Sequence, residues 1–97
     1  MPRRVVLSRR VRNWVDIETE YLAARSPTAA RRLRDRITRA QQLLADHPRI
    51  GRPGSAAGSR RLVMVPYVIT YREIGTDIVI VDIRHSRQAE RPVPGDP

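Results

Sequence analysis

Apolar and polar residues alternate along the second half of the chain, which is the pattern of β-strands with one buried face. Residues 67–73 read Tyr-Val-Ile-Thr-Tyr-Arg-Glu, and the β-branched run Ile78 to Ile83 follows a turn at Gly75 to Asp77. We therefore predict two strands joined as a hairpin. Because Pro66 cannot donate a ladder hydrogen bond, the run Arg60 to Val65 is predicted to be a separate short strand. The three strands are expected to form an antiparallel sheet.

The first part of the chain changes to helical spacing after a short strand from Val5 to Leu7. Ser8 is a suitable N-cap for a first helix that ends at about Ala24. Its apolar positions are Val11, Trp14, Val15, Tyr21 and Leu22. They predict an amphipathic helix with one buried stripe.

A second helix begins more clearly, because Ser26 followed by Pro27 is an N-cap followed by a first-turn proline. The helix is predicted to end near Asp46, just before Pro48. Its apolar positions are Ala30, Leu33, Ile37, Ala40 and Leu44. The two helices form a hairpin that can lie across the sheet.

These elements predict an α+β fold in a single domain over residues 1–88. Segment 47–59 contains three glycines and two prolines and is predicted to be a loop. The Pro-rich tail 89–97 is expected to be flexible. The chain has no phenylalanine and one tryptophan, so aliphatic side chains must build the core. The residues expected there are Leu33, Ile37 and Leu44, with Trp14 and Val15 beside them.

The chain has a net charge of +9. A small domain with such an excess of positive charge is expected to bind an anionic partner. All 19 basic residues are arginine, whose planar fork matches phosphate and carboxylate groups. Base composition of the encoding genome is an equally good reason for the choice of arginine over lysine. The chain lacks cysteine, a signal-peptide core and an apolar run of membrane-spanning length, so we expect a cytoplasmic protein without disulfides.

Few residues offer catalytic chemistry. His47 and His85 are the only histidines, and neither has a carboxylate at ligand spacing, so we predict no metal site and no cofactor. RNA cleavage by general acid and base catalysis remains, with His85 moving a proton while arginines stabilise the charge on phosphorus. The alternative is that His85 only caps the last strand.

In this order the features resemble the RelE/ParE superfamily of type II toxin-antitoxin toxins. The resemblance extends from the N-terminal strand to about Arg87, and it rests on the combination of motifs in a chain of this length. The motifs are Ser26 to Ala30, Leu43-Leu44 with His47 to Arg52, Arg61, Tyr67 to Arg72, and Ile78 to Arg87. It implies a β-α-α-β-β-β fold, with the helix hairpin packed on a small twisted antiparallel sheet.

The resemblance leaves two activities open. RelE-like members are ribosome-dependent messenger-RNA endonucleases, and by similarity Arg61, His85 and Arg87 would then be catalytic. ParE-like members inhibit DNA gyrase without being nucleases. The absence of a tyrosine or lysine after His85, together with the Pro48 to Arg52 segment, favours the ParE-like branch. A basic binding module without toxicity is the third alternative.

The resemblance also implies partners. A cognate antitoxin with an acidic, disordered segment would fold over the toxin and form a hetero-oligomer with it, and gyrase or the ribosome with its messenger RNA would be the target. The residues predicted to bind the target are Arg60, Arg61, Arg84, His85 and Arg87. Those predicted to bind the antitoxin are Trp14, Leu33, Ile37 and Arg72.

Overall fold

The computed structural model describes residues 2–87 and contains two helices and five strands in that range. The elements are β1 (Val5–Leu7), α1 (Arg9–Arg25), α2 (Pro27–Asp46), β2 (Arg52–Pro53), β3 (Ser59–Met64), β4 (Tyr67–Ile74) and β5 (Asp77–His85). The α+β class and the predicted order of strand, two helices and strands are confirmed. The tail predicted over 89–97 lies outside the described residues. No helix in the described range is long and apolar enough to cross a membrane.

Serine side chains set the starts of both helices. The Ser8 hydroxyl accepts a hydrogen bond from the Val11 N–H at 3.2 Å, and the Ser26 hydroxyl accepts one from the Ala29 N–H at 3.2 Å. The Ser26 N–H also donates to the Leu22 carbonyl, so one residue ends α1 and begins α2. This double role makes the connection between the helices as short as the sequence predicted.

The five strands form one sheet in the order β1-β5-β4-β3-β2. β5, β4, β3 and β2 pair antiparallel as neighbours, but β1 pairs parallel to β5, with Val5 opposite Ile78 and Leu7 opposite Ile80. The predicted antiparallel arrangement of the three C-terminal strands is confirmed, and the parallel pairing of β1 makes the whole sheet mixed. β1 and β5 can pair in parallel because a long connection, which includes both helices and the other strands, lies between them.

The loop predicted over 47–59 contains the short strand β2, which the sequence analysis missed. The Tyr71 hydroxyl accepts a hydrogen bond from the Gly51 N–H at 2.9 Å, and the Arg60 guanidinium donates to the Gly51 carbonyl at 2.8 Å. A Cβ on Gly51 would lie 2.8 Å from both the Arg61 carbonyl oxygen and the Tyr71 hydroxyl. Glycine is required here because the chain passes so close to β3 and β4.

One face of the sheet and the apolar stripe of α2 build the core. Leu33, Ile37 and Leu44 are buried in it, as predicted. Trp14 and Val15 are only partly buried and pack against its edge. The sheet contributes Ile69, Tyr71, Ile78, Ile80 and Ile83. The helices therefore pack on a single face of the sheet, although side chains of the other face, such as Val68 and Val79, are buried as well.

Replacing Ile37 with alanine should lower the free energy of unfolding by about 2 to 5 kcal/mol, as other large-to-small core changes do. Chemical denaturation of the wild type and the variant measures this difference. The neighbouring Thr38 is exposed, so Thr38→Ala is the control and should change stability by less than about 0.5 kcal/mol. A loss below about 1 kcal/mol for Ile37→Ala would contradict the packing described here.

Removing the Tyr71 hydroxyl leaves the buried Gly51 N–H without its acceptor, so Tyr71→Phe should cost about 1 to 3 kcal/mol. The exposed Tyr21 provides the control Tyr21→Phe, which should be neutral. Burial also raises the pKa of Tyr71. The folded state therefore disfavours the phenolate, and stability should fall as the pH rises above about 10, less steeply in Tyr71→Phe than in the wild type. An identical alkaline slope in both proteins would contradict this assignment.

Candidate functional site

The arginines predicted to bind the target lie on both faces of the sheet. Leu62 and Met64 pack against the core. Because successive side chains of a strand point to opposite faces, Arg61 lies on the face away from the helices. Ile83 is in the core, which places Arg84 on that same outer face. Arg61 pairs with Thr70, and Arg84 pairs with Val68. From these register positions and ordinary sheet spacings, their Cα atoms are separated by about 12 Å.

Arg60 and His85 point the other way, toward the helix side of the sheet. Arg60 pairs with Tyr71 and donates to the Gly51 carbonyl at 2.8 Å, so it holds the loop. His85 pairs with Tyr67 at the far end of β4. The structure therefore brings Arg61 and Arg84 onto one face but places neither Arg60 nor His85 with them.

A β-bulge decides which face His85 occupies. The register of β4 with β5 shifts between Thr70 and Tyr71, so that Tyr71 pairs with Ile80 and Thr70 with Asp82. Ile80 and Ile83 both enter the core although they are three residues apart. The one-residue shift reverses the alternation in the last part of β5. His85 consequently joins the core face and Arg84 leaves it.

His85 ends β5 in a small cluster of rings. Its ring meets Tyr67 edge-on with centroids 5.9 Å apart, and Tyr67 meets Trp14 edge-on at 6.0 Å. The His85 Nδ1 accepts a hydrogen bond from the Arg87 N–H at 3.2 Å, which requires the proton of the neutral ring to be on Nε2. These contacts tie the His85 ring to the end of β5 and to the aromatic side chains beside α1.

The four residues predicted to bind an antitoxin divide into two groups. Leu33 is 0% exposed and Ile37 is 6% exposed, so a partner could reach them only if α2 separated from the sheet. Trp14 is half-buried and lines an open cleft with Ile17 and Asn13. The Arg72 guanidinium donates to the Ala57 carbonyl at 2.8 Å on the surface. Only Trp14 and Arg72 lie where a surface partner can contact them.

Sequence reasoning missed an apolar stripe on the outside of α1. Ile17 is 68% exposed and Tyr21 is 52% exposed, although Tyr21 was predicted to be on the buried side. With Trp14 they follow the spacing i, i+3 and i+7, which places all three on one helix face. The Arg25 guanidinium lies 3.8 Å from the centre of the Tyr21 ring and covers part of it. The sequence does contain a signal for this exposed stripe, because the apolar residues of α1 occupy more of the helix surface than one sheet face can cover.

Ionic contacts in the described residues are concentrated at the sheet and its edges. The buried carboxylate of Asp82 lies 3.7 Å from the Arg10 guanidinium at the start of α1. The exposed arginines of α2 have no such partner within the described chain. Within this range no group of three or more histidine and acidic side chains is arranged to hold a metal ion.

Comparison with known proteins identifies relatives over most of the chain. Y4kP of Sinorhizobium fredii is 40% identical over 70 residues, which are 70% of this chain and 72% of the relative. Toxin RelE2 of Caulobacter vibrioides is 37% identical over 67 residues, which are 69% of this chain and 76% of that toxin. A solved chain of the chromosomal ParDE TA system from P. aeruginosa has the same fold, with a TM-score of 0.72 at 20% identity over 86% of this chain and 95% of that chain.

The family model of the ParE toxin of the type II toxin-antitoxin system parDE matches residues 5–90. This match begins at β1 and includes every helix and strand of the described fold. The resemblance inferred from the sequence motifs is thus confirmed, and the chain belongs to the ParE toxin family within the RelE/ParE superfamily.

Proposed function

We propose that this toxin acts as a ParE-like inhibitor of DNA gyrase and is neutralised by a cognate antitoxin. The observation that carries the choice of target is the separation of Arg61 and His85 onto opposite faces of the sheet. The match to the ParE family model supports the same branch.

A ribonuclease that uses general acid and base catalysis needs its proton donor and its arginines around the same phosphate. General acid and base catalysis works at hydrogen-bond distances, and stabilising donors must lie within about 3 Å of the developing charge. Arg61 on the outer face and His85 on the helix side do not meet that requirement in this conformation. A binding surface has no such requirement, because separate charges contribute to one large interface.

The outer face of the sheet is the proposed target surface. Arg61 and Arg84 lie there, and Arg87 follows β5. Arginine at such positions can pair with carboxylates of a protein or with phosphates of DNA held by that protein. The remaining predicted target residues, Arg60 and His85, would support the surface by holding the loop and the end of β5.

A RelE-like endonuclease is the second candidate. The relative named RelE2, at 37% identity, favours it. In this case substrate binding would have to bring the Arg61 side chain to the His85 end of the sheet. The two candidates predict different behaviour of His85, which makes them separable by experiment.

The antitoxin is proposed from family membership, from the net charge of +9 and from the exposed stripe on α1. The solved structural relative comes from a ParDE TA system. We expect an acidic segment, disordered when free, that orders on the toxin and forms a hetero-oligomer in the cytoplasm. Its apolar side chains would cover Trp14, Ile17 and Tyr21, while its carboxylates would contact arginines that include Arg72.

Induced expression in a bacterium should cause filamentation and double-strand DNA breaks, and the purified toxin should inhibit gyrase supercoiling. His85→Ala should keep most of this inhibition, whereas Arg84→Glu with Arg87→Glu should lose it. The antitoxin complex and circular dichroism show whether each variant is folded. Cleavage of ribosome-bound messages that His85→Ala alone reduces by about 10²- to 10⁴-fold would overturn the gyrase assignment in favour of the nuclease.

Ile17→Ala should weaken the antitoxin complex by about 1 to 3 kcal/mol without changing toxin stability, because Ile17 is 68% exposed in the free toxin. Calorimetry of the two purified proteins measures the affinity. Ile74→Ala, at an isoleucine that is 41% exposed on the β4–β5 hairpin, is the matched control. Equal effects of the two substitutions would contradict the proposed role of the α1 stripe.

A further inference from the structure

The exposed side of α2 has a concentration of arginine side chains without acidic partners in the fold. The ion pairs of Glu73, Asp77 and Asp82 all join the sheet to arginines outside α2. Within α2 itself, Asp35 is the only carboxylate before the last residue of the helix. Four arginines of α2 have neither an ion pair nor a hydrogen bond with a described residue, namely Arg31, Arg32, Arg34 and Arg39.

Helix geometry sorts the arginines of α2 into two rows. At 3.6 residues per turn, Arg32, Arg36 and Arg39 lie within about 60° of one another around the helix axis. Arg31 and Arg34 also lie within about 60° of each other, and the centres of the two rows are about 140° apart. The side of α2 that is buried against the sheet occupies the remaining part of the circumference. The two rows therefore flank the ridge that α2 presents to solvent.

One of the rows is anchored to the end of β3. The Arg36 Nε–H donates a hydrogen bond to the Val65 carbonyl at 2.7 Å, and the side chain is half-buried. The remaining guanidinium N–H groups of Arg36 make no hydrogen bond with a described residue. This arginine is therefore held in place before a partner binds, which reduces the entropy that binding would cost.

The composition of the ridge indicates what kind of anion it fits. Its exposed side chains from Thr28 to Gln42 are four arginines, two threonines, one aspartate and one glutamine. Binding between proteins depends on buried apolar or aromatic anchors, and α2 exposes no large apolar side chain. Arginine, threonine and glutamine are instead the side chains that contact phosphate and sugar groups in complexes with DNA. An acidic protein segment would find charge on this ridge but no anchor.

We propose that the exposed side of α2 binds the sugar-phosphate backbone of duplex DNA without preference for base sequence. The major groove of B-DNA is about 12 Å wide and admits an α-helix, so the two arginine rows would meet phosphates of both strands. The major groove of duplex RNA is too deep and narrow for the same contact. This DNA surface lies on the other side of the sheet from Arg61 and Arg84. The inference is therefore independent of whether gyrase or the ribosome is the target.

Salt dependence of binding tests the proposal on the purified toxin alone. The probe is a labelled DNA duplex of mixed sequence and about 20 base pairs, measured by fluorescence anisotropy between about 50 and 200 mM salt. If four or five arginines each neutralise one phosphate, the logarithm of the association constant should fall with the logarithm of salt concentration with a slope of about −3 to −5. Absence of binding at the lowest salt concentration would overturn the proposal.

Two competitors separate duplex DNA from other anions. Unlabelled duplex RNA of the same length should compete less well than unlabelled duplex DNA, because its groove does not accept the helix. Polyglutamate with the same number of charges should also compete less well, since the ridge has no apolar anchor for a peptide. Equal competition by either anion at equal charge concentration would overturn the assignment to duplex DNA.

Matched variants separate contact at α2 from the overall positive field. Arg32→Gln with Arg39→Gln removes two arginines of one row and should make the slope less negative by about 2. Arg9→Gln with Arg12→Gln removes the same charge from exposed arginines of α1 and should change the slope by less than about 0.5. Equal changes would show that only net charge matters and would overturn the proposal. Arg32→Lys with Arg39→Lys keeps both charges and should retain the slope of the wild type.

The position of the bound DNA gives the final comparison. We expect the duplex to shift the NMR signals of amides 31–39 in the wild-type toxin, a measurement that needs no variant to fold. Arg61→Gln with Arg84→Gln changes the outer face of the sheet and should leave the salt slope within about 0.5 of the wild-type value. Shifts confined to the strands, or loss of DNA binding in this outer-face variant alone, would place the DNA on the target surface and overturn the proposal.

Discussion

The fold depends on the packing of one side of α2 against the inner face of the sheet. Leu33, Ile37 and Leu44 supply the helix side of that contact, and isoleucines of β4 and β5 supply the sheet side. Because the chain has no phenylalanine, Trp14 and the tyrosines are its only large aromatic side chains, and aliphatic contacts provide most of the core. The same contact also shapes the surface, since the position of α2 places Arg36 beside Val65, where both line a cleft along β3.

A second constraint acts through Tyr71, which belongs to both the core and the loop. Its ring is buried in the core, and its hydroxyl accepts the hydrogen bond from the Gly51 N–H. The loop is thereby drawn toward β4 and away from the edge of β3 beyond Arg61. A polar contact inside the fold thus leaves an unpaired strand edge outside it. Natural proteins usually protect such edges, and the nearby arginines of α2 disfavour pairing between two copies of this basic chain.

The sequence was sufficient for the helices because their signals are local. Ser8, Ser26 and Pro27 fixed both helix starts, and the apolar spacing of α2 identified its buried side correctly. The parallel pairing of β1 with β5 was not predictable from alternation, which reports faces but not neighbours. The bulge at Thr70 was also invisible, and one shifted residue determined whether Arg84 or His85 faced the helices. The sequence could therefore nominate residues for a site but could not arrange them, because the bulge decides which side chains share a face.

The distribution of charge links the fold to its partners. Glu73, Asp77 and Asp82 lie on the sheet and pair with Arg3, Arg4, Arg10 and Arg49, so these carboxylates already neutralise arginines near the strand ends. The exposed arginines of α2 form no ion pair with the described residues, so no carboxylate of the fold neutralises them. An acidic partner consequently gains most by lying along α2, while the proposed target surface is on the opposite face of the sheet. The antitoxin would then neutralise the toxin partly through the electrostatic field of its carboxylates. This field would slow the association of toxin and target without any contact to the target-binding arginines. The effect would become weaker at higher salt concentration, because salt shortens the screening length.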